Sequence, residues 1–514
     1  MAFFVPARYR LALILVIGTL FLVTCRTLFA TRGAITQFLH SPSPVLSNRT
    51  RLGTDTGDGA GAGAGAGAST ETGTGPGSRS SEAVAATIKT LADYLVDYPL
   101  SDADFGEMGR RVQILQGWIE SHKAMVQHGE VGPAEAVWSN IEAVAQSLFS
   151  YLRNPSKPND RAPLSSRLQT MNPGTRGLVI PTGRHNFRYA CHLVGAVRNI
   201  FQSSMPIQIV YAGDKDLPEA FRDTVRGLGS DIETLDITEV MDDALLDLSG
   251  GGWAIKPFAV LASHFEQVVL LDADAVLVQP PEAIFDGHRG YRDRGALFFH
   301  DRLLWQGAFP ERHAWWKKEM EHHEPSDTLR ASLVYSQNYA EEQDSGLVVL
   351  DKARMPVFLG LLHICWQNTL PVRTNWTYKK HYGDKESWWL GLELCSVPYT
   401  FEEHYSAIIG ELDERGPGQD RVCSFTIAHA DEAGKLLWYN GSLLKNKLRS
   451  ATEFLVPTHW MIDGTWDKGR AKQDVSCMRG ASILSVDAHE RSIFETTVEQ
   501  AKKLDDLLTS RGQL

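Results

Sequence analysis

Two aspartates, Asp272 and Asp274, end the apolar run in VVLLDADAVLVQPP (Val268 to Pro281). Carboxylates this close repel unless a proton or a cation intervenes. A hard divalent ion with oxygen ligands answers that repulsion, and it could also clamp a diphosphate. If the strand ran on through them, alternation would turn both side chains to one side. Three other readings fit a bare D-x-D: an N-cap beside a surface acid, a calcium loop, and a carboxylate dyad for hydrolysis. The calcium loop fails, because Val276 and Leu277 fill its fifth and sixth positions.

Other segments carry groups of similar chemistry. QDSGLVVLDK (Gln343 to Lys352) sets Asp344 and Ser345 before a strand. YGDKESWWLGLEL (Tyr382 to Leu394) sets Asp384 and Glu386 at a helix start, where the dipole favours acids whether or not they react. Trp388 and Trp389 offer either an apolar platform for a sugar face or core packing. HADEAGKLLWYNG (His429 to Gly441) adds an imidazole, Asp431, Lys435, Trp438 and Tyr439. Lys256 in WAIKPF and Arg184 in PTGRHN could each face an anion or simply lie on a helix.

Alternating elements must hold these groups. GLVIP, IQIVYAG, IETLDI and QVVLLDADAVLV read as strands, and RYACHLVGAVRNIF, LPEAFRDTVRGLG and WAIKPFAVLASHF read as helices. Such alternation predicts an α/β fold with a mixed, mainly parallel, Rossmann-like sheet flanked by helices. Ligands bind at the carboxyl ends of such strands, where Asp272 and Asp274 stand.

The chain has 514 residues, 43% hydrophobic, with a formal charge of −11 and no long basic block. Nucleic acid is therefore not an expected partner. Residues 1–10 carry Arg8 and Arg10 and read as a cytosolic tail, and residues 11–30 as an uncleaved signal anchor. A cleaved signal peptide is the competing reading. Residues 31–81, rich in Gly, Ala, Ser and Thr, read as a flexible tether, residues 82–165 as a helical stem, and residues 170–514 as the catalytic domain. Three sequons at Asn48, Asn375 and Asn440 suit a lumenal chain. Beyond Cys25 in the anchor, five cysteines remain, so some should pair and leave an odd thiol.

Taken together, WAIKPFAVLASHFEQVVLLDADAVLVQPPEAIFD, QDSGLVVLDK, YGDKESWWLGLEL and HADEAGKLLWYNG resemble, in order, the fungal family of Golgi α-mannosyltransferases of the GT-A fold. The resemblance covers roughly residues 175–447. It implies that Asp274 touches Mn²⁺ and that Asp272 contacts ribose, metal or both. It implies His429 as a third metal ligand, with Asp431 the weaker alternative. Lys435 would neutralise the departing diphosphate, Lys256 would lie near donor phosphates or sugar, and Arg184 would sit where the nucleotide docks. Asp384 would hold sugar hydroxyls. Asp344 would be the nucleophile if retention used double displacement, while a front-face route would need no dedicated base.

The resemblance thus implies a single-pass type II Golgi membrane enzyme with a lumenal catalytic domain. It would move mannose from GDP-mannose to a mannose hydroxyl of a glycan or glycoprotein, α-1,2 or α-1,3, with Mn²⁺ as cofactor, and could work in a complex with other glycosyltransferases. A UDP-sugar donor on the same fold is the alternative enzyme reading. A non-catalytic glycan-binding protein is the alternative outside catalysis.

Overall fold

The computed structural model describes residues 76–514, apart from Gly251 and Pro417. The expected tail, anchor and most of the tether lie outside the described residues. Among those described, no helix is long and apolar enough to cross a membrane.

Three helices come first: α1 (Pro76–Asp97), α2 (Phe105–Gln127) and α3 (Val131–Leu148). Helix α1 begins inside the stretch read as tether. All three join the main core rather than standing apart as a stem. Ile88, Val112 and Ile141 share one apolar cluster with Val268 and Val348 of the sheet. Phe105 is fully buried and meets Trp315 and Trp366 edge-on, each with ring centroids 4.9 Å away. A Phe105→Ala cavity there would cost about 3–5 kcal/mol. Gly106 and Gly109 let α2 approach so closely that a Cβ would lie 2.2 Å from the Glu319 carbonyl and 2.4 Å from that of Leu394.

The central sheet contains β1 (Asn172–Pro181), β2 (Ile207–Tyr211), β3 (Ile232–Asp236), β4 (Phe265–Leu271), β6 (Ala296–His300), β7 (Gln343–Asp351) and β8 (Thr400–Phe401). Strand β5 (Ala275–Leu277) lies outside it. The order is β3-β2-β1-β4-β7-β6-β8. Strands β3, β2, β1 and β4 run parallel, while β7 lies antiparallel between β4 and β6. The strands are apolar on both faces, as covered parallel strands must be. One face packs α4 (Phe187–Gly195), whose Phe187, Val194 and neighbours meet Ile180 and Leu271. The other packs α5 (Ile255–Ala262), α6 (Met355–Gln367) and α7 (Lys385–Leu394).

The strand read as QVVLLDADAVLV is two strands. β4 stops at Leu271, the Ala275 N–H donates to the Asp272 carbonyl at 2.9 Å, and β5 leaves for a different sheet. There it pairs antiparallel with β12 (Leu436–Asn440), which pairs with β11 (Ile427–Ala430). Asp272 and Asp274 therefore flank a turn, and the extended alternation expected for them does not hold.

A further antiparallel sheet of six strands fills the C-terminal part: β9 (Ile408–Asp413), β10 (Arg421–Ser424), β13 (His459–Met461), β14 (Thr465–Asp467), β15 (Ser476–Arg479) and β16 (Ile483–Ser485). The Cys423–Cys477 disulfide crosses two paired strands within it. Among the described residues, Cys191, Cys365 and Cys395 stay free and buried, so one bridge leaves three thiols there rather than one. The last helix, α8 (Ala488–Ser510), starts with an Asp487/Glu490 capping box and packs back on α4 through the pair Arg188–Asp505.

Candidate active site

Parallel order fixes the address of the site. The carboxyl ends of β1 and β4 are neighbours, so the loop carrying Arg184 and the Asp272 turn share one edge. Arg184 is exposed there, its N–H bonded to the Asp216 carbonyl at 2.9 Å and its guanidinium 5.7 Å from the Phe221 ring. The chain from β3 into α5 must bring the start of α5 to the same edge, and Lys256 sits on its first turn.

Lys256 organises the centre. It is 6% exposed, with its Nζ 2.7 Å from Asp272 Oδ1 and 3.6 Å from Asp384 Oδ1. It also donates to the Ser345 carbonyl and hydroxyl at 3.2 and 3.3 Å. Burial alone would lower its pKa, but Asp272 and Asp384 outweigh that and raise it above the ordinary lysine value. The same burial raises the Asp272 carboxyl, against the lowering pull of Lys256. Backbone locks the group: the Asp272 N–H donates to the Gly346 carbonyl at 2.8 Å, tying the acid turn to β7. Asp384 is held from behind by the Trp388 indole N–H at 2.8 Å.

Asp274 takes a different partner. Lys447, absent from the sequence-based assignments, places its ammonium on Asp274 Oδ2. The Asp274 carbonyl accepts the Ser442 N–H at 2.8 Å, which pins the turn to the segment running toward Lys447. The two residues are 173 apart in sequence, so no local spacing could have signalled the pair.

His429 and Lys435 are placed elsewhere. His429 is buried, stacked on Trp438 with ring centroids 4.4 Å apart, and its Nε2 lies 3.1 Å from Asp344 Oδ2. Asp344 is 1% exposed, and its Oδ1 accepts from the Gly346 N–H and the Asn440 amide at 3.0 and 3.1 Å. Burial would raise this carboxyl, but the His429 contact and Lys385 hold it below the usual carboxylate range. Gly346 is required here, since a Cβ would lie 2.4 Å from the Asn440 amide. Asn440 is thus engaged inside the fold, whereas Asn375 of the neighbouring sequon is exposed. Lys435 stands exposed at the β11–β12 turn, its N–H bonded to Asp431 Oδ1 at 3.0 Å. Asp431 otherwise accepts from the Gln279 amide at 2.8 Å. Tyr439 is buried beside Phe494. Trp388 and Trp389 are buried too, so they pack the core and present no sugar platform.

Among the described residues, no group of three His, Cys, Asp or Glu side chains is arranged to hold a metal. The expected trio of Asp272, Asp274 and His429 is therefore not assembled. What remains fits a hard divalent cation differently. Asp272 and Asp274 each already face one positive charge, and a cation with mostly oxygen ligands can take two carboxylates and fill its other positions with water and phosphate. A second ion-paired group lies beside the first: Lys385 on Asp301, with Glu341 at 3.9 Å.

A family model for mannosyltransferases, Mannosyl_trans3, matches residues 175–431. Alpha-1,3-mannosyltransferase MNT3 of Saccharomyces cerevisiae is 27% identical over 292 residues, covering 50% of this chain and 45% of its own. Alpha-1,3-mannosyltransferase MNT2 of the same yeast is 25% identical over 304 residues, covering 52% of each. The chain spans about half the length of the curated relatives it matches. Among solved structures, galactosyltransferase LgtC with donor and acceptor sugar analogs aligns at 17% identity and TM-score 0.28, over 42% of this chain and 70% of that one. A score that low carries no argument about the reaction.

Proposed function

The chain belongs to this mannosyltransferase family, and from that premise we propose that it transfers mannose from GDP-mannose to a mannose hydroxyl of a glycan. The α-1,3 linkage is preferred over α-1,2 because the relatives' names carry it. We propose Mn²⁺ as cofactor, and a Golgi location with residues 11–30 as the anchor. Those last assignments rest on the acid pair and on the N-terminal sequence.

One observation carries the reading: a buried lysine tied to two carboxylates at the carboxyl end of β4, with a second lysine on the neighbouring acid. Five charged groups converge on one sheet edge where ligands of such folds bind. A divalent cation on Asp272 and Asp274 would supply Lewis-acid charge to the donor diphosphate. Lys447, half-buried on Asp274, is the ammonium placed to serve the leaving phosphate, the work first expected of Lys435. Lys256 holds Asp272 and Asp384 in place by contacts of 2.7 and 3.6 Å. Asp384 would then accept hydrogen bonds from hydroxyls of the transferring sugar. Asp344 is closed off by His429, Asn440 and Gly346, and this supports the front-face route over a nucleophilic Asp344. In that route a departing phosphate oxygen takes the acceptor's proton.

The test is transfer from GDP-mannose, compared with UDP-sugars, to a mannose oligosaccharide with Mn²⁺, with EDTA, and with Asp274→Ala. Transfer from GDP-mannose that EDTA and Asp274→Ala both abolish is expected. Equal rates in all arms would overturn the metal assignment, and use of a UDP-sugar alone would overturn the donor.

A further inference from the structure

Trp253 and Tyr382 are 46% and 49% exposed, with ring centroids 5.1 Å apart and planes at 47°. Two large aromatic faces side by side in water forgo the gain of apolar burial. Their position is held by backbone. Gly383, with φ +69°, sits against the Trp253 ring, where a Cβ would approach to 2.7 Å. Trp253 lies three residues before Lys256, and Tyr382 lies two before Asp384. Because Lys256 and Asp384 are 3.6 Å apart, the two short segments that carry the rings also meet at the charged cluster. The nucleotide edge, marked by Arg184 and Asp216, belongs to β1 and β2, on the far side of β4 from the α7 segment that carries Tyr382.

The geometry points to Trp253 and Tyr382 as a stacking platform for an uncharged hexopyranose of the acceptor glycan, next to the residue that receives the new bond. An aromatic face is electron-rich, and a pyranose ring offers polarised C–H groups on one side. A flat pair tilted at 47° suits such a ring and reads no charge. The buried pair Trp388 and Trp389 cannot serve this purpose. This inference rests on the mannosyl-transfer reading above and adds the acceptor subsite to it.

The test uses the full chain, with linear α-linked mannotriose as acceptor and GDP-mannose with Mn²⁺ as donor. Trp253→Ala and Tyr382→Ala should each raise the acceptor KM about tenfold, while donor KM and transfer of mannose to water stay within about twofold. Trp253→Phe should restore most of the loss. Direct calorimetric titration of mannotriose, without donor, should weaken by the same factor in Trp253→Ala. An unchanged acceptor KM and unchanged mannotriose binding in both alanine variants would overturn the platform. If the wild type transfers nothing but binds mannotriose through Trp253, the transfer reading fails and the platform stands. If the wild type binds no mannotriose at millimolar concentration, the platform fails whatever the transfer result.

Discussion

The end of β4 and the β11–β12 hairpin both present an acid and a base at motif positions, yet they differ in kind. At β4, Lys256, Asp272 and Asp384 form a charged group at the carboxyl end of the strand, and Asp272 is the member that reaches solvent. In the hairpin, His429 is sealed between Trp438 and Phe299 and spends its ring nitrogen on Asp344, while Lys435 projects from the turn. The lesson is that sequence order does not give radial order. A residue two positions from a strand end can be core or rim according to which sheet its strand joins, and β11 joins the sheet that β5 entered after the acid turn.

The largest expected effect breaks the β4 side. Asp272→Asn should lower transfer by about 10³-fold and cost about 3 kcal/mol of stability, because Lys256 loses its nearest partner while buried. Rate and denaturant midpoint measured together check this, and wild-type values in both would erase the distinction between the two regions. Lys447→Ala comes next, with a loss of about 10²-fold in transfer and tighter divalent binding, since the competing ammonium is gone. Titration of Mn²⁺ separates those effects.

A pH effect sharpens the same contrast. Burial pushes the Glu386 carboxyl up to about 8. Its folded pKa exceeds its unfolded one, so the folded state holds the extra proton. The contribution of Glu386 to stability is then full below about pH 4 and is lost as pH rises through about 8. Glu386→Gln should flatten that decline in thermal melts across the range. On the hairpin side, His429→Gln should lower the melting temperature by about 2–4 °C while Mn²⁺ affinity stays within about twofold. Lys435→Ala should leave transfer within about twofold, and a 10²-fold loss there would return the phosphate role to the hairpin.

Much of this was legible in the chain. The alternation from GLVIP to VVLL gave four parallel strands because period and turn residues agree there. Asp272 and Asp274 were readable at a strand end, whereas Lys256 and Asp384 were suggested by the family resemblance, and the fold brings Lys256, Asp272 and Asp384 together. The break at Asp272 was hidden, since AVLV continues the apolar pattern and only the pairing of β5 with β12 ends the strand. The short C-terminal strands were hidden for a related reason, as three or four residues hold too little periodicity. Lys447 was hidden by distance in sequence, and the inward turn of His429 by an aromatic neighbour nine residues on.

Phe105, wedged between Trp315 and Trp366, gives residues 105–148 a second meaning. A protease cutting just after Leu152 would not shed a spacer. It would strip a lid from the greasy backs of α6 and α7, and the fragment left behind should clump before it could act on any sugar.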